Sequence, residues 1–294
     1  MRFVARTVLA VAVAALSARV ASALAQAAPD HESDGPAGVL IVAHGADRDW
    51  NAPVDSLAAM VRHRGRFAGP VAVSFLMGPE APAHRFQDAI DDLARAGARR
   101  VIVVPLLVSR HSGHYEQVRF LAGETDTLDA EMTAHLRASG ITRPTASVPL
   151  HVTAALDDAP ELARVVVARA LSLAPDPSGH ALFLFGHGPN SAEDYAAWMR
   201  NLRVVADSVR HATRFASVVV ELVRDDAPPS VRAEAVQRAR ELIQLQYAAT
   251  RHYVVVVPLL VSAGDVSRRK MPADLTGLPI VYSGAPLLPD SILA

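Results

Sequence analysis

The stretch Gly38-Val-Leu-Ile-Val-Ala-His44-Gly45-Ala-Asp47-Arg48-Asp49 decides the fold. An apolar run passes straight into a His-Gly pair and then into charge. That is the pattern of a strand buried on both faces, ending in a loop that carries a histidine. The phrase returns as Ala181-Leu-Phe-Leu-Phe-Gly186-His187-Gly188. A second phrase also occurs twice, as Arg100-Val-Ile-Val-Val-Pro105-Leu-Leu-Val-Ser109 and as Tyr253-Val-Val-Val-Val-Pro258-Leu-Leu-Val-Ser262. Two phrases repeated in the same order mark an internal duplication.

Outward from these strands the pattern alternates. Val54, Leu57, Ala58 and Val61 lie at helical spacing, and 71–77 reads as a second strand closed by Gly78-Pro79. Phe86, Ala89, Ile90, Leu93 and Ala94 form a second helical face before the strand 101–108. Strongly apolar strands in β-α-β-α-β order call for a parallel sheet with helices on both faces. A proline inside that third strand fits a strand edge or the point where the strand leaves the sheet. Residues 109–143 are the least regular part, with a helix expected from Leu128 to Ala138, a short strand at 147–152 and a helix at 161–174. Strands at 181–187, 217–223, 253–262 and 279–283 and helices near 192–210 and up to 248 repeat the order. The chain reaches Ala294 without a counterpart to the last helix of the first half. The expected fold is α/β, two similar three-layer α/β/α halves at 38–176 and 180–294 joined through Asp176-Pro177-Ser178-Gly179.

The 294 residues are 51% hydrophobic and 20% charged, with a net charge of −1. That composition supports a packed core. Lys270 is the only lysine, and no basic run interleaves with aromatics, so nucleic-acid binding is not expected. The absence of cysteine excludes disulfides, thiolate metal sites and a cysteine nucleophile. Residues 1–25 read as a signal peptide: Arg2 and Arg6, an apolar run from Thr7 to Ser17, then Ala23-Leu24-Ala25 before Gln26. Residues 26–37 read as a flexible leader. Cleavage would remove three basic residues and no acid, taking the net charge from −1 to about −4. The expectation is an exported, periplasmic protein with no stable membrane span after cleavage. Oligomeric state is not legible.

Ligands of open α/β sheets bind beyond the carboxyl ends of the strands. His44 and His187 stand at such ends, with His111 and His114 just past the Pro105 strand. Glu221 lies near the end of the second strand of the second half, and Asp265 follows the Pro258 strand. In the H-x-x-H of His111 and His114, Gly113 favours a loop over a helix. Imidazoles with a carboxylate and no thiolate suit Co, Ni, Fe or Zn as divalent ions. Gly186-His-Gly188 lacks the third glycine of a dinucleotide fingerprint, and neither a Walker motif nor a G-x-S-x-G elbow occurs, so no nucleotide is expected.

The runs V-L-I-V-A-H-G, S-F-L-M-G-P and A-R-A-G-A-R-R-V-I-V-V-P-L-L-V-S, followed by a His-bearing loop, resemble the CbiX/sirohydrochlorin chelatase family, class II tetrapyrrole chelatases of ferrochelatase-like fold. The resemblance covers most of 38–290 as two tandem copies, and residues 115–145 are longer than the family pattern. It implies two halves with a cleft between them that takes a tetrapyrrole. It implies ATP-independent insertion of a divalent metal, Co²⁺ or Fe²⁺ with Ni²⁺ as a further option. Carried over by position, His44 and His114, with His111 as the less favoured second ligand, handle the metal. His187 matches the first-strand histidine of the second copy, and Glu221 the carboxylate that some relatives use. Arg48, Arg110, Arg268 and Arg269, with Lys270, are candidates to pair the tetrapyrrole carboxylates.

Overall fold

The computed structural model describes residues 35–64, 68–145 and 148–294. The signal segment and most of the leader lie outside the described residues, as does Ser147 at the expected start of the fourth strand. Two four-stranded parallel sheets carry the chain. In the first, β1 (Ala37–Ala43), β2 (Val71–Phe75), β3 (Arg100–Leu106) and β4 (Leu150–Val152) are arranged β2-β1-β3-β4. In the second, β5 (Ala181–Gly186), β6 (Ser217–Leu222), β7 (Val254–Leu259) and β8 (Ile280–Tyr282) repeat that order as β6-β5-β7-β8. The duplication expected from the two phrases is therefore a duplication of topology. In each sheet the order reverses between the first and third strands, where the histidine-bearing loops emerge.

The repeated proline has a simple account. Val101 N–H bonds to Pro149 and Val103 C=O accepts from Thr153, so odd-numbered residues of β3 address β4. Pro105 therefore turns its missing donor toward β4, which has already ended at Val152. On β7, Val254 N–H bonds to Pro279, and Pro258 lies two residues beyond the last pair, Val256 with Tyr282. Both prolines sit on inner strands, but only where the neighbour has run out.

The helices are α1 (Arg48–His63), α2 (Phe86–Arg95), α3 (Gly113–Leu121), α4 (Ala130–Ala138), α5 (Pro160–Leu173), α6 (Ala192–Ala212), α7 (Pro229–Thr250) and the short α8 (Met271–Asp274). Side chains of Asp47, Ser112, Asp129 and Ser191 accept backbone N–H groups at the starts of α1, α3, α4 and α6. Pro160 and Pro229 open α5 and α7, where a missing N–H costs nothing. The third helix of the first half, α3, replaces the loop expected around Gly113.

Strand alternation sorts the core. Leu40 and Val42 of β1 pack with α2, α3 and α4, whereas Ile41 and Ala43 pack on the other side. Phe183 and Phe185 of β5 pack with α7 and α8, whereas Leu182 and Leu184 join the same cluster as Ile41. That central cluster contains Val54 and Leu57 of α1, Leu162 and Val166 of α5, and Trp198, Leu202 and Val209 of α6. The inner helices are thus one layer shared by both sheets, and residues 36–294 form one compact unit.

The second half ends without a helix to match α5, as expected. Its place against the first half is taken by the C-terminal segment: Leu287 and Leu288 are buried in the central cluster, and Ile292 and Leu293 pack on it. Arg169 of α5 holds this segment, donating to the carbonyls of Pro286, Leu287 and Pro289 at 2.9–3.1 Å and pairing with Asp290 at 3.2 Å. Arg64 reaches the carbonyl of Ser291. Arg169→Ala leaves the carbonyl of buried Leu287, two neighbouring carbonyls and the shielded Asp290 carboxylate without this donor. It is expected to lower the unfolding free energy by about 2–4 kcal/mol, measured by urea denaturation.

Candidate metal centre

The His-Gly pair is built the same way in both halves. His44 Nδ1–H donates to the carbonyl of Gly45 at 2.7 Å, and His187 Nδ1–H to the carbonyl of Gly188 at 2.9 Å. Each carbonyl turns back onto the preceding ring because its glycine is left-handed, with φ of +83° at Gly45 and +82° at Gly188. A Cβ at Gly45 would stand 2.4 Å from the Met77 carbonyl oxygen, and one at Gly188 would stand 2.7 Å from Leu222 Cβ. Asn51, fully buried, fixes the turn after Gly45: it accepts from Ala46 N–H and donates to Glu80. With Nδ1 committed as donor, each neutral ring keeps the Nε2 lone pair free.

His114 lies in the first turn of α3, not in a loop. Ser112 caps that helix at Tyr115 N–H. His114 Nδ1–H donates to Gln117 Oε1 at 2.8 Å, while Gln117 Nε2 donates to the carbonyl of Met132 on α4 at 2.8 Å. The amide orientation leaves His114, too, with Nε2 free. His44 and His114 meet edge to face, ring centroids 4.6 Å apart and planes at 87°. Two imidazoles sharing one ion through bonds of about 2.0–2.1 Å have centroids roughly 4.5–5.2 Å apart. The centroid separation of His44 and His114 falls in that range.

Electrostatics keep the pair neutral. Burial, then the neighbouring His114, with smaller effects of His187 and His135, lowers the His44 pKa to about 3. Burial lowers His114 as well, against the hydrogen bond to Gln117. His187 belongs to the same electrostatic neighbourhood, since its charge acts on both. Its Nε2 lies 3.3 Å from Asp226 Oδ2, and His187, Asp225 and Asp226 present ligand atoms within 4.8 Å of one another. Asp225 is already committed. Burial disfavours its carboxylate, but hydrogen bonds from Lys270 at 2.6 Å and Arg232 at 3.0 Å outweigh this and hold its pKa below the usual value.

The remaining expected residues separate. The Glu221 carboxylate is only 3% exposed and is used within the fold: it accepts from Tyr195 Oη at 2.6 Å and from Leu222 N–H at 2.8 Å, with Arg238 at 3.9 Å. Paired strands put Glu221 opposite Phe185, one step earlier than the Gly186–Leu222 pair, so it stands back from the strand end. It is not among the grouped metal-binding side chains; Asp226 is the carboxylate that reaches a histidine. The backbone carbonyl of His111 accepts from Trp198 of α6, and its ring makes no contact with His44 or His114 among the described residues. Arg110 is locked on buried Asp157 through Nε and its own N–H, with Asn201 on the same carboxylate. Arg269 is bidentate to Asp265, which also removes Asp265 from the histidine cluster. Arg48, at the start of α1, is exposed without a side-chain ion pair among the described residues. Arg268 lines a cavity of about 410 Å³ with Tyr282 and Pro272 that none of the histidines borders. Trp50 was not singled out in the sequence. It sits 6.0 Å from His44, its carbonyl accepts from Ser262, and it packs against Gly264 of the second half.

Two parallel sheets on a shared helical layer, with imidazoles gathered at their open ends, define a chelatase-like α/β protein. The CbiX family model matches residues 38–173, and the second half of the chain repeats the topology of the matched half. SirB from Bacillus subtilis with Fe³⁺ superposes with a TM-score of 0.57 at 17% identity, covering 88% of this chain and 91% of that one. The sirohydrochlorin chelatase SirB from Bacillus subtilis subspecies spizizenii in complex with cobalt gives the same values. DR2241 from Deinococcus radiodurans, a multi-domain protein with structural similarity to chelatases, matches with a TM-score of 0.55 at 19% identity, covering 88% of this chain and 53% of that one. No curated protein sequence matches the chain.

Two outcomes follow from this geometry. Gly45→Ala is expected to cost about 1–3 kcal/mol through the forced left-handed backbone and the Met77 carbonyl, and to weaken Co²⁺ binding at His44, both measurable by calorimetry. The second concerns pH. The unfolded chain protonates His44 near its ordinary value of 6.5 and the folded chain only near 3. Between those values the unfolded state holds more protons, so stability falls as pH drops through this window and is retained above it. His44→Asn should make the dependence of unfolding free energy on pH shallower between pH 4 and 6.5.

Proposed function

We propose that the protein inserts a divalent metal, Co²⁺ or Fe²⁺ with Ni²⁺ as a further option, into a tetrapyrrole such as sirohydrochlorin, without ATP. The observation that carries this reading is the His44–His114 pair, with its 4.6 Å separation and its two Nδ1–H groups bound to oxygen acceptors. A His44 pKa near 3 means that protons do not compete for that lone pair at neutral pH, so the ring is a metal ligand and a poor base. The metal is the substrate, and the macrocycle must lose two pyrrole N–H protons as the ion enters. His187 suits that task. Asp226, 3.3 Å from its Nε2, forms an ion pair with the imidazolium once a proton is taken. The roles divide: His44 and His114 deliver the ion, and His187 with Asp226 receives protons. Trp50 offers an aromatic face beside the pair for the macrocycle. Arg48 and Arg268 are the guanidinium groups left for its carboxylates, since Arg110 and Arg269 are engaged. Export to the periplasm belongs to the same proposal, supported by the leader sequence. Among the described residues no helix is long and apolar enough to cross a membrane.

The test mixes the protein with sirohydrochlorin and Co²⁺ or Fe²⁺ and follows the absorbance change. Insertion should exceed the spontaneous rate and fall at least 100-fold in His44→Ala. His187→Ala should slow insertion while leaving Co²⁺ binding to the isolated protein within about threefold. No insertion, with Co²⁺ binding that still requires His44, would replace the enzyme by a metal-delivery protein on the same scaffold.

A further inference from the structure

α4 brings a third imidazole to the pair. The His135 ring lies 6.4 Å from that of His114, with planes at 24°. Its Nδ1 is buried and has no hydrogen-bond partner among the described residues. A polar nitrogen left this way is destabilising unless something ligates it. The ring as a whole is only partly buried, so one side of it is open to solvent while Nδ1 faces inward. Its placement is not loose. Gln117, the residue that orients His114, donates to Met132 one turn earlier on α4. Met132 in turn packs so closely on Gly113 that a Cβ there would meet its sulfur at 2.7 Å. One amide thus fixes both the His114 tautomer and the distance to His135.

We infer that His135 is a further metal ligand, a holding position that takes a divalent cation from solvent and passes it to His44 and His114. The inference rests on the metal-handling reading of that pair. The separation argues for a distinct position. Rings on neighbouring positions of one ion stand roughly 4.5 Å apart at right angles and roughly 5.2 Å apart at the tetrahedral angle, and 6.4 Å is too wide for such a pair. It is nevertheless close enough that the charge of His135 acts on both His44 and His114. The step is ligand exchange without redox change: the bonds of the ion to His135 and to one water break as bonds to His44 and His114 form.

The experiment uses Co²⁺ alone, without tetrapyrrole. Stopped-flow absorbance follows arrival of the ion at His44 and His114, and equilibrium titration gives its affinity. His135→Phe keeps a ring in place and removes both nitrogens. It should slow Co²⁺ association at least tenfold while changing the equilibrium affinity less than threefold. His135→Cys, which restores a ligand at the position, should recover most of the rate. Association at the wild-type rate in His135→Phe overturns the proposal. So does a loss of rate and affinity together that His135→Cys does not recover, because that is the signature of a packing role. Slow Co²⁺ loading in His135→Phe, combined with no metal insertion by the wild type, would sink the chelatase reading and leave the holding position standing. Insertion by the wild type with normal loading in His135→Phe would do the reverse.

Discussion

The structure depends on a hydrogen bond between adjacent residues. A histidine at the end of a buried parallel strand is free to rotate and to choose its tautomer. Here the next residue is a glycine in the left-handed region, and its carbonyl returns to Nδ1. The bond fixes ring, tautomer and lone-pair direction without any residue from elsewhere. Its cost is a backbone conformation closed to other residues, and the loop must be held from outside: by Asn51 in the first half, and by Arg224, which donates to the carbonyls of Pro189 and Asn190, in the second. The same solution appears twice because the same strand-loop unit appears twice.

Much of this was legible in the sequence for a physical reason. Apolar strands followed by His-Gly, and valine runs broken by proline, are local patterns with tertiary meaning, and their recurrence made each reading support the other. The sequence also permitted two explanations of Pro105, and hydrogen-bond parity on β3 selects one of them. What stayed hidden was set by partners far along the chain. Gly113 signals a loop when read alone; Ser112 capping α3 and Met132 packing against the missing Cβ make it a helix start. Glu221 reads as a ligand from its place near a strand end, yet a tyrosine on α6 and an arginine on α7 claim it. Asp226 was not singled out in the sequence, yet its carboxylate faces His187. Gln117 and His135 carried no signal at all, because an isolated glutamine or histidine on an amphipathic helix is ordinary.

The halves are alike in topology and unlike in what they can hold. The first offers two imidazoles in mutual contact, with burial opposing protonation of either. The second offers one imidazole beside an exposed carboxylate, above a buried Asp225 whose charge is matched by Lys270 and Arg232. A buried pair of neutral nitrogens favours a cation without competing protons, whereas the second half sets a carboxylate 3.3 Å from its imidazole. Duplication supplied two equal scaffolds, and the charges placed around them pulled their chemistry apart.

That division requires the halves to keep a fixed spacing, and the shared helical layer provides it. α5 leaves the first sheet and packs with α6 and β7 of the second, so neither half completes its core alone. The C-terminal segment packs on the central cluster, clamped by Arg169 and Arg64 of the first half. Near the histidines, Trp198 holds the carbonyl of His111, Asn201 joins Arg110 on Asp157, and Ser262 holds the carbonyl of Trp50. Each of these bonds crosses from one half to the other beside the strand ends. A hinge between the halves would have to break all three together with the central core. Movement beside the histidines is therefore left to loops and side chains, while the spacing between the His44–His114 pair and His187 stays set by the fold.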